Sequence, residues 1–161
     1  IDEDGEMGVG FNAELCRDWE LAADEFITEG VAAHVSKIRV SLVLGNENGI
    51  FPIFKSMVAN NPQVSAKTSN SAFLWNHISD MAGIFAFAVE NKLDGVFNSV
   101  APEPASDQDV FKAIANESIG AGLKIEPFKG QHLVSNKIIA SGYQFKFPNI
   151  EKAVADLFNH N

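Results

Sequence analysis

Residues 37–44 read KIRVSLVL, β-branched and apolar toward their end, and are closed by Gly45. That is the pattern of a strand covered on both faces, which belongs to an α/β sheet. The segment before it has a different period. Phe11, Leu15, Trp19, Ala22 and Phe26 recur at helical spacing, and Gly30 stands where a helix C-terminal glycine belongs. Helix followed by buried strand predicts an α/β alternation. With 161 residues, 46% of them hydrophobic, the chain has the composition of one globular unit able to build a core without disulfides or metals.

The same alternation continues downstream. Phe51 to Val58 reads as a helix, and residues 59–72 form a polar stretch long enough to be a lid or a mobile loop. Residues 73–80 lead into a helix whose face holds Met81, Ile84, Phe85 and Ala88, with Ser79 or Asp80 as its cap. Residues 96–101 (VFNSVA) predict a strand. Ser106 with Asp109 three residues on resembles a capping box that opens a helix through Val110, Phe111 and Ile114. LKIEPF (123–128) predicts a short strand, 134–141 a helix stopped by Gly142, and YQFKF (143–147) an alternating strand. Asn149 caps a last helix bearing Ile150, Val154, Leu157 and Phe158.

Net charge is −9, and its distribution is uneven. Residues 1–30 hold ten acids against Arg17 alone, whereas the remaining residues balance 11 acids with 11 bases. The acids of the first helix fall off its apolar stripe, so they are expected to form a solvated face. Only Arg17 and Arg39 are arginines and no basic stripe exists, which argues against nucleic-acid binding. Cys16 is the single cysteine, so no internal disulfide forms and a reducing, cytoplasmic setting is expected. The acidic first residues do not make a signal peptide, and the longest strongly apolar stretch, 81–89, is far below the ~20 residues of a membrane span.

Gly8, Gly10 and Ala13 spell G-x-G-x-x-A. The context refutes a dinucleotide loop, because no strand precedes it and the four acids of IDEDGEM would repel a pyrophosphate. Tyr143 has Phe147 four residues on, so a Tyr-x-x-x-Lys pair is absent there. Cys16 lies inside the first helix and is expected to be a core-facing structural thiol, with no partner base marked in the sequence. His34 and His160 read as surface residues and His132 as a loop residue. His77, between Trp75 and Asp80 at a strand-to-helix turn, either orients a polar ligand or hydrogen-bonds the turn. No cluster has metal-ligand spacing.

Several stretches, taken together, resemble one family. GFNAELCRDWELAA is similar to its G-F-L-A-x-V-C-R-x-W-E helix, and RVSLVLG (39–45) to its R-x-G-x-V-L-G strand. LWNHISDMAGIFAFAVEN resembles M-S-W-I-H-I-D-D-L-V-G-x-x-x-x-A-L-E-N, and NSVAPEPASDQDV resembles N-x-x-A-P-x-P-V-T-N-x-E-F. The tail GQHLVSNKIIASGYQFKFPNIEKAVADL is similar to G-Q-R-V-L-P-x-K-L-L-x-x-G-F-x-F-x-Y-P-x-L-x-x-A-L-x-D-L. The family is the nucleotide-sugar epimerase-like branch of the extended short-chain dehydrogenases/reductases, including its C-terminal domain of unknown function.

The resemblance covers that family's C-terminal half. It implies an α/β, Rossmann-like fold in which 1–10 is a loop, 11–45 joins the Rossmann-like sheet and 46–161 forms the substrate-side domain. It implies NAD(P) and a small-molecule substrate, such as a nucleotide sugar, for a complete protein, with no cofactor expected on this chain alone. Ser41, Trp75 and His77 become the candidates for the substrate or cofactor cleft, with Arg39 and Asp80 structural beside it. By the same alignment Asn12 and Cys16 occupy the positions of the superfamily's tyrosine and lysine, so no catalytic residue is assigned. Ser41 replaces the family's glycine, and Asn76 and Ser79 depart from its pattern. A sheet edge left open near 37–44 would favour homodimerisation or strand exchange. The alternative function is a non-catalytic interaction or assembly module derived from that family.

Overall fold

The computed structural model describes residues 1–6, 8–61, 63, 69–126 and 128–159. The chain opens with α1 (Phe11–Thr28), followed by β1 (Ser36–Val40), β2 (Leu42–Leu44) and α2 (Ile50–Asn60). Next come β3 (Ala72–Phe73), β4 (Trp75–His77), α3 (Ile78–Glu90) and β5 (Gly95–Ser99). β6 (Ala105–Ser106), α4 (Asp107–Ile119), α5 (Asn136–Ala140) and α6 (Ile150–Asn159) complete it.

The strand expected over 37–44 exists but is divided at Ser41. β1 pairs in parallel with β5, from Ser36 opposite Gly95 to Val40 opposite Ser99. β2 pairs in parallel with β4, from Leu42 opposite Trp75 to Leu44 opposite His77. The partner changes because Ser41 spends both its backbone N–H and its hydroxyl on the Ser99 carbonyl, at 3.2 and 2.7 Å. The Leu42 N–H then donates to Leu74. β3 and β6 form a short antiparallel pair.

Two apolar clusters hold these elements. The larger joins Leu44, Phe51, Trp75, Phe111, Ile114 and Leu157 with their neighbours, packing α2, α4 and α6 against β2 and β4. The smaller, Ile84, Phe97, Ile138 and Tyr143, fills the space between α3, β5 and α5. Fully burying a side chain of this size contributes about 1.5–3 kcal/mol.

α1 departs from the expected arrangement. None of its residues is buried. Phe11, Trp19 and Phe26 of the apolar stripe are 76%, 67% and 53% exposed, and Cys16 is exposed rather than core-facing. The side turned to β1 instead carries acids. Asp24 receives Lys37 Nζ at 2.7 and 2.9 Å, and Glu20 receives Arg39 Nε and Nη2 at 2.6 and 2.9 Å. Residues 20 and 24 lie one helical turn apart, and residues 37 and 39 share one face of the strand, so the two pairs align and set the rotation of the helix. The expectation of a solvated acidic face therefore fails for Glu20 and Asp24.

Other local readings divide in the same way. The Ser106–Asp109 capping box is present in full, and Asn149 Oδ1 accepts from Lys152 N at 3.0 Å. Gly30 takes φ +71° behind α1, and Gly142 takes φ +107° behind α5. α3 begins at Ile78, and its cap is His77 rather than Ser79 or Asp80. No strand forms among the described residues of 123–128, where the Asn116 side chain clasps both the N–H and the carbonyl of Leu123. No strand forms over 143–147 either, because backbone donors there are taken by Asp80. Residues 59 and 60 end α2, and the lid expected over 59–72 falls in part on 62 and 64–68, outside the described residues, as does His160.

Candidate functional site

Parallel strands collect ligands at their carboxyl ends. At that end β2 passes into the loop 45–49 and α2, while β4 passes into α3. Between them lies a pocket of about 900 Å³, bounded by Gly45 to Gly49, His77 to Ser79, Lys146, Phe147, Asp156 and Leu157. Gly49 caps α2 at φ +88°, a conformation that disfavours a side chain.

His77 forms the inner wall of the pocket and is 1% exposed. Nδ1 accepts the Ser79 backbone N–H at 3.1 Å, so this nitrogen is unprotonated and caps α3. Nε2 stands 3.3 Å from Asp156 Oδ2 on α6, and the ring lies on Phe147 with centroids 3.9 Å apart. Both nitrogens thus face protein groups. Burial lowers the pKa of the imidazole below its usual 6.5, with Asp156 and then Asp80 pulling in the opposite direction. The arrangement favours a neutral ring that shapes the pocket over a proton carrier.

Phe147 is kept on that ring by Asp80. The Asp80 side chain is fully buried. Oδ1 accepts from Tyr143 Oη at 3.0 Å and Lys146 N at 2.8 Å, and Oδ2 accepts from Phe147 N at 2.9 Å. One carboxyl group therefore binds the whole 143–147 segment to α3. Burial, then the charge of Asp80, pushes the Tyr143 phenol above its ordinary pKa.

A second cleft, of about 810 Å³, opens between α1 and the β1–β5 sheet. Cys16, Trp19, Glu20, Arg39, Ser41 and Ser99 are among its walls. The Arg39–Glu20 pair spans it, and the hydrogen bond from Arg39 holds the Glu20 carboxyl below the ordinary carboxylate range. Asn98 N donates to Glu3 at 2.7 Å, which draws the first residues along the rim.

Of the residues proposed from the sequence, Ser41 and Arg39 line this cleft, and His77 lines the other pocket. Trp75 enters neither; it is 1% exposed within the main core. Asp80 acts from behind the His77 pocket. On the α1 side a short polar chain ties β4 to the cleft wall, in which Asn76 Nδ2 donates to Ser99 Oγ at 2.7 Å while the Ser99 carbonyl holds Ser41. Asp156, Phe147 and Ser99 were missed by sequence reasoning. The tail motif contains both Asp156 and Phe147, but nothing local marks them as neighbours of His77.

Among the described residues, no group of three or more His, Cys, Asp or Glu could hold a metal ion, and no helix is long and apolar enough to cross a membrane. The donor set does not fit a dinucleotide either. Asn12 and Cys16 supply no phenol–ammonium pair, and Gly8 and Gly10 lie beside acidic residues with no strand among the described residues before them. No hydride step can be derived from these side chains.

These elements form a mixed α/β fold similar to that of the Rossmann-like, epimerase-type extended short-chain dehydrogenases/reductases. Residues 126–157 match the family model described as a domain of unknown function, DUF1731. More particularly, the chain is 28% identical to the epimerase family protein SDR39U1 of Mus musculus, over 97% of this chain and 58% of that protein. It superposes on the nucleoside-diphosphate sugar epimerase of Corynebacterium glutamicum with a TM-score of 0.78 and 27% identity, covering 98% of this chain and 33% of the other. Human SDR39U1 (isoform 2), solved with NADPH, gives 0.69 and 25%, covering 100% and 60%. The chain thus spans somewhat over half the length of the SDR39U1 relatives that it matches.

Proposed function

We propose that this chain is the C-terminal, substrate-side portion of an NAD(P)-dependent nucleoside-diphosphate-sugar epimerase/dehydratase-like protein, working with a nucleotide-binding half that residues 1–161 do not contain. In this reading 11–45 joins the Rossmann-like sheet and 46–161 forms the substrate side. Ser41 faces the cleft beside α1 and His77 the pocket at the carboxyl ends of β2 and β4, as parts of the cofactor and substrate side, with Trp75 supporting from the core and Arg39 and Asp80 holding the respective walls. The complete protein takes a small molecule such as a nucleotide sugar and acts in the cytoplasm. The observation that carries the reading is similarity along nearly the whole chain to proteins of which it spans about three fifths, one of them solved with NADPH.

Two features of the fold support it. Parallel strands are normally covered on both faces and paired on both sides, whereas among the described residues β1 and β2 each pair on one side only. The α1 cleft beside them is open. A nucleotide-binding half placed there adds strands at that edge and brings the phosphate loop this chain lacks.

The test is NADPH fluorescence titration of the chain alone and of the chain co-expressed with the nucleotide-binding half of human SDR39U1. The chain alone is expected not to bind at micromolar concentration, and the assembled pair to bind. Micromolar binding by the chain alone overturns the reading. A non-catalytic interaction module is the second reading, and the uncovered face of α1 favours it.

A further inference from the structure

The His77 ring joins two helices through its two nitrogens. On one side Nδ1 accepts the backbone N–H of Ser79 at 3.1 Å and caps α3. On the other, Nε2 lies 3.3 Å from Asp156 Oδ2 on α6, a contact of charge and proximity rather than an in-line hydrogen bond. Phe147 covers one face of the ring. These groups all lie between residues 77 and 156, and the ring is buried among them. The arrangement is therefore independent of whatever lies beside α1 and of a nucleotide-binding half.

The two contacts respond in opposite ways to a proton. A neutral imidazole with its hydrogen on Nε2 offers Nδ1 as an acceptor, whereas an imidazolium has two donors and no acceptor. Protonation at Nδ1 thus sets it against the Ser79 N–H and cancels the cap. It also places a positive charge at the positive end of the α3 dipole. The same charge strengthens the attraction to the Asp156 carboxylate. The remaining charged groups around the ring do not reverse this balance. Asp80, in the first turn of α3, has its oxygens occupied by Tyr143 Oη and the N–H groups of Lys146 and Phe147. Glu47 and Lys146, both exposed at the pocket rim, carry opposite signs.

We propose that His77 exchanges partners with its proton: neutral, it caps α3 through Nδ1; protonated, it leaves the Ser79 N–H, pairs with Asp156 on α6 and loosens the first turn of α3. Burial favours the neutral ring, so the exchange occurs on acidification below its usual 6.5. Ile78 and Ser79 line the pocket of about 900 Å³. Acid therefore reshapes the wall of that pocket, with the buried ring as the sensor and the N-terminus of α3 as the moving part.

The test is NMR of the isotopically labelled full chain from pH 7 to about 5, following the His77 ring nitrogens and hydrogen exchange at the Ser79 amide, with exchange rates corrected for their intrinsic pH dependence. Protection of Ser79 should fall about fivefold, the equivalent of one lost cap, with the same midpoint as the ring. Asp156→Asn, at a side chain that is 25% exposed, should move both midpoints to lower pH, because no carboxylate then favours the imidazolium. His77→Asn, which caps without binding a proton, should keep Ser79 protected throughout. A ring that titrates while Ser79 stays protected overturns the proposal, as does a ring still neutral at the acidic end. So does a midpoint unmoved or raised in Asp156→Asn, or a pH response that persists in His77→Asn. The titration of the parent chain decides the first two outcomes even where a variant fails to fold.

Discussion

Replacing Asp80 with alanine should release the 143–147 segment, and the cost can be worked from its hydrogen bonds. The carboxyl group accepts Lys146 N and Phe147 N, both part-buried, and one bond from Tyr143 Oη. The phenol keeps a second acceptor, the Asp80 carbonyl, at 3.0 Å. Two backbone donors are therefore left without a partner. At about 1–3 kcal/mol for each unsatisfied buried donor, Asp80→Ala should cost ~3 kcal/mol. Tyr143→Phe removes a phenol that donates to the same residue and should cost only ~1 kcal/mol. Asp80→Asn retains one acceptor oxygen and should fall between them. Urea unfolding followed by the fluorescence of buried Trp75, with circular dichroism as a second probe, measures the series. With a denaturant slope of ~2 kcal/mol per M, the midpoints should drop by about 1.5 M for the alanine and ~0.5 M for the phenylalanine variant. If Asp80→Ala is no worse than Tyr143→Phe, the carboxyl group does not hold the segment and the reasoning is wrong.

Two further perturbations test the same region. His77 has a folded-state pKa below its usual 6.5, so the unfolded chain binds more protons and the stability from neutral His77 is present above that value. It should be lost as pH falls from 7 through 6.5 and below, and His77→Asn, which can still cap α3, should flatten this part of the pH–stability curve relative to the parent chain. An unchanged difference between parent and variant from pH 7 to about 5 would contradict the neutral ring. Gly83 is the other position, because a Cβ there would stand 2.5 Å from Tyr143 Oη. Gly83→Ala should displace the phenol and cost about 1–3 kcal/mol by overpacking. Combining it with Tyr143→Phe, which removes the clashing oxygen, should recover much of that loss; simple additivity of the two would show that the contact is not the cause.

Much of the architecture is local and was therefore legible in the residues. Periodicity placed α1, α2, α4 and α6; the Ser106–Asp109 pair and Asn149 announced their helices, because a cap is complete within four residues. The alternation of helix with apolar strand, and the motif matches, led to the α/β class and to the epimerase-like family. Tertiary structure decided the facing and the partners. The stripe of α1 looked like a core face, yet Lys37 and Arg39 turned Asp24 and Glu20 inward, a choice no helical period contains. Residues 37–44 looked like one strand, but the Ser99 carbonyl divided it at Ser41. YQFKF alternates as a strand should, while its backbone donors go to Asp80, 66 and 67 residues earlier in the chain. Periodicity and capping are properties of neighbours in sequence and can be read from it directly. The saturation of buried polar groups depends on which distant segments meet, so the Asp80 latch, the Asp156–His77 contact and the open face of α1 emerge only when the chain is folded.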